Sequence, residues 1–184
     1  KETNMDASFF QQFYKILFLL CLSLGFLNSV YPVELTQATL VSWGFTDKSI
    51  AQLWINGRGI NSFEEDAFDG FNNVNRLEIY YNGISWLNSI VFTRLPKLTY
   101  INFGGNSFTY LNASLFTYLT NLTFISFDNN AISHIELGTF DSMTNLEGIS
   151  FWGTNLATID VNLFYKLINL VSLDIRDARM LTYF

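Results

Sequence analysis

The sequence predicts an α/β solenoid: stacked 24-residue units with a parallel β-sheet along one side and loops or short helices along the other. Three observations predict it. Apolar residues recur with a period of 24 from Ile50, Val74, Leu98, Leu122, Leu146 and Leu170. The same seven positions are apolar in all five complete units, and the nineteenth is always phenylalanine. With 49% hydrophobic residues each position would match by chance about half the time, so seven full columns are not coincidence.

Counted from the first residue of each unit, positions 4 and 6 hold Leu53 and Ile55, Leu77 and Ile79, Ile101 and Phe103, Ile125 and Phe127, Ile149 and Phe151. Position 11 holds Ile60, Ile84, Phe108, Ile132 and Leu156, and position 14 holds Phe63, Leu87, Leu111, Ile135 and Ile159. Phe68, Phe92, Phe116, Phe140 and Phe164 fill position 19, and Phe71, Leu95, Leu119, Met143 and Leu167 fill position 22. The alternation at positions 4 and 6 predicts a short strand over positions 3 to 5, with its inward residue at 4. Successive strands then stack in parallel about 4.8 Å apart, and the phenylalanine column forms a spine on the opposite side. No unit buries its apolar face alone, so stability comes from neighbours.

Position 9 carries Asn82, Asn106 and Asn130, a structural asparagine ladder. A buried carboxamide in a tight turn offers two donors and an acceptor to backbone groups otherwise left unpaired. Arg58, Thr154 and Ala178 occupy the same column. Threonine replaces one such bond and alanine none, so the outer turns are expected to be looser.

The strings Leu77-Glu78-Ile79-Tyr80-Tyr81-Asn82-Gly83-Ile84 and Ile125-Ser126-Phe127-Asp128-Asn129-Asn130-Ala131-Ile132 resemble the leucine-rich-repeat family. The 24-residue length and the phenylalanine at position 19 resemble its subclass in extracellular receptors and matrix proteins. The resemblance covers Ile50 to Phe184 and implies a horseshoe with a concave parallel sheet; for function it says less. The cysteine-rich cap common in secreted relatives is missing.

Three segments are expected: 1–29, a signal peptide; 30–49, an N-terminal cap segment including Leu40, Trp43 and Phe45; and 50–184, the repeats. Lys15 precedes twelve apolar residues, Ile16 to Leu27, followed by Asn28 and Ser29, with Met5 as the natural start. That run is short of the roughly 20 residues needed to cross a bilayer and has the layout of a secretory leader. Cys21 lies inside it, so the mature chain is expected to contain no cysteine, hence no disulfide framework and no Cys-ligated metal. The chain stops at Phe184, position 15 of a sixth unit, leaving Leu173, Ile175 and Met180 without a cover. Repeat arrays need a polar terminal cap, and the sequence reads as a fragment of a longer protein. Membrane association would come only from sequence following Phe184.

The formal net charge of -6 and scattered basic residues argue against nucleic acid as a partner. No nucleophile–base pair, metal-ligand spacing or phosphate loop is apparent, so no catalytic function and no cofactor are expected. The single histidine, His134, falls on the convex side, and Glu64-Glu65-Asp66 reads as a solvated turn. Two glycosylation sequons begin at Asn112 and Asn121.

Residues pointing out of the concave sheet are free of core constraints. They include Trp54, Arg76, Glu78, Tyr80, Tyr81, Tyr100, Phe124, Asp128 and Trp152, six of them aromatic. Aromatics anchor interfaces, which predicts a ligand patch centred on Tyr80, Tyr100 and Phe124. The alternative is that Tyr100 and Phe124, neighbours in one column, stack across strands. The expected function is a secreted or cell-surface recognition module for a protein or glycoprotein; the rival is a non-catalytic subunit of a secreted enzyme complex. The leader is tested by N-terminal sequencing of protein secreted from a eukaryotic host. A terminus just after Ser29 is expected; an intact Met5 terminus on a cytosolic product overturns both leader and secretion.

Overall fold

The alternation of inward and outward side chains at positions 3 to 5 produces six short parallel strands, one per repeat. In chain order the elements are β1 (Val33–Leu35), helix α1 (Gln37–Ser42), β2 (Gln52–Trp54), β3 (Ile60–Phe63), β4 (Arg76–Glu78), β5 (Tyr100–Asn102), β6 (Tyr110–Leu111), β7 (Phe124–Ser126), β8 (His134–Ile135), β9 (Gly148–Ser150) and β10 (Ser172–Asp174). The computed structural model describes residues 32–177, within the compact unit Val33–Phe184 apart from Pro32. The expected leader, the first two residues of the cap segment, Ala178 and Met180 lie outside the described residues.

The main sheet runs β10-β9-β7-β5-β4-β2, all parallel. Its register is an unbroken step of 24: Leu53 faces Leu77, Leu77 faces Ile101, Ile101 faces Ile125, and Ile125 faces Ile149. Hydrogen bonds continue past each strand, with Phe103 N donating to Ser126 O at 2.8 Å and Gly105 N to Asp128 O at 2.7 Å.

The apolar columns form one core. Positions 4, 6 and 11 are almost fully buried throughout the five complete repeats. Two phenylalanine stacks run along the solenoid axis. In one, Phe103, Phe127 and Phe151 lie nearly parallel with ring centres 5.8 and 5.6 Å apart; in the other, Phe116, Phe140 and Phe164 are spaced at 6.2 Å. Tilted contacts of Phe116 with Phe127 and of Phe140 with Phe151 tie the stacks together. Such pairs add about 0.5–1.5 kcal/mol each beyond their burial. The convex side consists of turns and two 3-10 helices, Ser89–Arg94 and Val161–Phe164.

Two small parallel pairs, β1 with β3 and β6 with β8, were not expected from the sequence. They follow from positions 11 and 14, which hold two inward residues close together on the return path. Ahead of the first repeat, Thr36 and Thr39 form a reciprocal capping box that starts α1, and Leu40 is fully buried. Arg58, in the asparagine column, lays its guanidinium over Trp43, 4.6 Å from the ring centre, and burial lowers its pKa. At the other end, Leu173 is 37% exposed, whereas its counterparts Leu53, Leu77, Ile101 and Ile125 are fully buried.

The asparagines carry the turn after each strand. Asn106 Nδ2 donates to Ile79 O at 3.0 Å and Phe103 O at 2.9 Å, while Oδ1 accepts from Ile84 N at 3.1 Å. Asn130 repeats this with Phe103 O, Phe127 O and Phe108 N, and Asn82 with Ile55 O, Ile79 O and Ile60 N. Thr154 retains one such bond, to Phe151 O at 2.9 Å. Truncating Asn106 leaves buried backbone groups unpaired, so Asn106→Ala should destabilise by about 1–3 kcal/mol. Asn61→Ala, at an exposed position outside the column, should cost less than about 0.5 kcal/mol. Urea unfolding of both variants checks this; equal losses would contradict the role assigned to Asn106.

Candidate functional site

The concave face is built from three outward columns. Position 3 reads Gln52, Arg76, Tyr100, Phe124, Gly148, Ser172, and position 5 reads Trp54, Glu78, Asn102, Ser126, Ser150, Asp174. Position 7, just beyond the strands, reads Asn56, Tyr80, Gly104, Asp128, Trp152, Arg176. Small polar residues therefore form the centre of the surface and large aromatics stand around it.

The position-3 residues make a continuous pile. The Arg76 guanidinium sits 3.6 Å from the Tyr100 ring centre, and Tyr100 stacks on Phe124 at 4.9 Å and 12°. Beyond it, a Cβ at Gly148 would fall 2.8 Å from Phe124 Cδ2, so glycine makes room for the ring. Tyr100 and Phe124 are consequently half-buried and packed on each other, as the cross-strand alternative has it. They present edges rather than a flat open patch.

Glu78 departs from its expected place in solvent: it is 3% exposed. Alternation puts Arg76 and Glu78 on one face, and Arg76 Nε and Nη2 both donate to Glu78 Oε1, at 2.8 and 2.5 Å. Glu78 Oε2 is buried without a hydrogen-bond partner, a costly arrangement for a carboxylate. Glu78 and Arg76 thus organise the face and offer little to a ligand.

The accessible aromatics are Trp54, Tyr81 and Trp152, at 51%, 66% and 39% exposure; Tyr80 is half-buried. Tyr80 and Tyr81 meet edge to face at 5.3 Å. Asp128 Oδ1 accepts from Trp152 N at 2.9 Å and from Ser150 Oγ, which fixes its carboxylate at the rim. Sequence reasoning missed a cavity of about 240 Å³ lined by Tyr80, Tyr81, Asn102, Gly104, Gly105, Asp128 and Asn129. The signal was present in the paired glycines at positions 7 and 8 of the third repeat, where the repeats on either side carry side chains.

The sequon asparagines occupy two structural columns. Asn112 Oδ1 accepts from Ser114 N at 3.0 Å, as Asn88 and Asp160 one and two repeats away cap their own convex turns. Asn121 Nδ2 donates to Pro96 O, and Asn145 and Asn169 make the same bond to Thr120 O and Thr144 O. His134 is exposed and stacks on Tyr110 at 5.5 Å. Among the described residues no group of His, Cys, Asp or Glu gathers to hold a metal, and no helix is long and apolar enough to cross a membrane.

The 24-residue register, the parallel concave sheet and the asparagine-held turns define a leucine-rich-repeat protein. The chain belongs to the family described as the BspA type leucine rich repeat region, whose model matches six copies over residues 40–177. Among solved structures it is similar to one titled the LRIM1/APL1C complex, at TM-score 0.65 and 25% identity over 78% of this chain and 26% of that one. The leucine-rich repeat domain of APL1B is similar at TM-score 0.61 and 26% identity over 77% of this chain and 41% of that one. The Toll–Spatzle complex, from Drosophila, shares the fold at TM-score 0.54 and 19% identity, over 79% of this chain and 23% of that one. The chain spans between about a quarter and two fifths of these chains. No curated protein matches it.

The packing of Tyr100 has a pH consequence. Burial, and then the Glu78 charge, push its phenol above the ordinary value near 10. A phenol raised in the folded state contributes stability that is present below the unfolded pKa and lost as pH rises through the folded one. Alkaline absorbance titration should therefore show late ionisations from Tyr100 and from Tyr110, whose phenol is raised by its hydrogen bond to Glu136, and Tyr100→Phe should remove one of them. The variant should also lose less stability than wild type between pH 9 and 11, by denaturant midpoints. Equal stability losses in variant and wild type over that range would show that packing does not hold the Tyr100 phenol above its ordinary value.

Proposed function

We propose that this chain is a non-catalytic recognition module that binds a protein partner through its concave face, outside the cell. The observation that carries the reading is the exposure of Trp54, Tyr81 and Trp152 around a floor of Asn102, Ser126 and Ser150. Core packing does not explain large aromatics left open beside small polar groups; anchors around a hydrogen-bonding centre are the composition of an interface. The sheet beneath is held at both ends of each strand, so few rotamers are lost on association. The likeness to leucine-rich repeats solved as the LRIM1/APL1C and Toll–Spatzle complexes supports a protein partner, and the short apolar segment Ile16 to Leu27 supports secretion. A single-stranded RNA complex with this fold is also similar, TLR13 with ssRNA13, at 20% identity. The net charge of -6 here disfavours phosphate binding.

The test is capture of the partner on immobilised full chain, followed by affinity measurement with three variants. Trp54→Ala and Trp152→Ala should each weaken binding by about 2 kcal/mol while leaving stability within about 0.5 kcal/mol. Trp86→Ala, equally exposed but off the concave sheet, should bind as wild type. Loss of binding on Trp86→Ala alone would move the interface to another side of the solenoid.

A further inference from the structure

The cavity over Gly104 and Gly105 lies between two repeats that carry side chains where the third has none. Tyr80 and Tyr81 wall one side, Asp128 and Asn129 the other, one repeat away in each direction. Position 8 is left-handed in every repeat, with φ of 62° at Gly105 and 54° at both Tyr81 and Asn129. An aromatic residue in that conformation is strained and persists only where its surroundings enforce it. Here the enforcement is visible: the Tyr81 ring lies where a Cβ of residue 105 would be, so it leans into the gap yet remains 66% exposed.

The charges in the notch are unbalanced. Asp128 Oδ1 is occupied by Ser150 and Trp152, but Oδ2 has no hydrogen-bond partner among the described residues. Among the described residues none of the four ion pairs includes Asp128: Arg76 is paired with Glu78, Arg94 with Asp69, Lys166 with Asp141, and Arg176 with Asp174. No lysine or arginine lines the cavity. A fixed carboxylate on one wall and two tyrosine rings on the other, in a site open to solvent, suit a cation held beside an aromatic face. An anion would meet only Asp128, and a purely apolar group would strand its free oxygen.

We propose that this notch is a subsite for an alkylammonium group, filled by a lysine side chain of the protein that binds the concave face. The inference rests on the concave-face reading for its partner, but the site itself can be probed alone. The ammonium would sit between Asp128 Oδ2 and the Tyr81 ring, with its methylene stem along Tyr80 and the glycine floor. Asn102 and Asn129 would supply amide contacts at the rim.

The experiment is an NMR titration of the full, isotopically labelled chain with Nα-acetyl-lysine methylamide. Nα-acetyl-norleucine methylamide and methyl glucoside serve as neutral comparisons. Saturable shifts of the Gly104 and Gly105 amides are expected with the lysine probe only. Asp128→Asn keeps the Oδ1 acceptor but removes the charge and should weaken the probe by about fivefold or more. Tyr81→Asn, placing the residue that already tolerates this column at 129, should do the same without loss of fold. If Asp128→Asn fails to fold, Tyr81→Asn decides. Equal response to norleucine, binding of the glucoside instead, or no saturable shift overturns the proposal. Loss of partner binding on Trp54→Ala or Trp152→Ala with no lysine response would sink the subsite and leave the concave face standing. A lysine response with partner binding untouched by those variants would do the reverse.

Discussion

Everything in this molecule depends on the turn that follows each strand, where a left-handed residue at position 8 is succeeded, in the second to fourth repeats, by an asparagine at position 9. The chain must leave the sheet without ending its hydrogen-bond ladder, and only a positive φ bends it sharply enough. Gly57, Gly105 and Gly153 adopt that conformation freely; Tyr81, Asn129 and Asp177 adopt it at a cost. The following carboxamide then bridges two repeats, as Asn106 does between the carbonyls of Ile79 and Phe103. This bond fixes the step of 24 residues, and the step of 24 aligns the phenylalanine stacks and the outward columns alike.

The fold was legible because its constraint is one-dimensional. Adding 24 to an inward residue gives the residue it packs against, so Leu77, Ile101 and Ile125 could be placed from the string alone. The same addition works for outward residues, but their environment also depends on what their neighbours do with long side chains. Glu78 is buried because Arg76 folds back over it, a choice of rotamer that no column records. Tyr100 and Phe124 are adjacent by the same arithmetic, yet whether two rings stack or splay is decided by room, and Gly148 provides it. The glycine notch was visible in principle as two missing side chains. No residue type marks it on its own, because it exists only by contrast with Tyr80-Tyr81 and Asp128-Asn129 in the repeats on either side. The second asparagine series, Asn121, Asn145 and Asn169, was masked by the sequon that its first member happens to form.

A consequence for function is that residues on the concave face fall into two mechanical classes. Arg76, Glu78, Tyr100 and Phe124 are spent on one another, through an ion pair, a cation–π contact and a ring stack. Apart from the unpaired Glu78 Oε2, their contacts are made before any ligand arrives, so they stiffen the surface and contribute shape. Trp54 and Trp152 stand exposed, Tyr81 is 66% exposed although Tyr80 meets it edge to face, and Asp128 Oδ2 has no hydrogen-bond partner among the described residues. The packed class runs along position 3 of the second to fourth repeats together with Glu78, and the open class lies beside it at positions 5, 7 and 8.

That division bears on how the recognition proposed for this face would be specific. A sheet of parallel strands repeats every 4.8 Å or so and would present nearly the same surface at each step if its outward residues were alike. Here the third repeat breaks the pattern with Gly104-Gly105, producing one concavity in an otherwise convex row of side chains. One wall of it is aromatic and the other carries the Asp128 carboxylate, whereas at position 3 of the same repeats Arg76, paired with Glu78, lies against the stack of Tyr100 on Phe124. A partner docked on the proposed face but shifted by one repeat would meet Tyr80 and Tyr81, or Asp128 and Asn129, where it needed a glycine floor. Register is thus imposed by the same 24-residue step that imposes the fold, and specificity arises where one repeat departs from its neighbours.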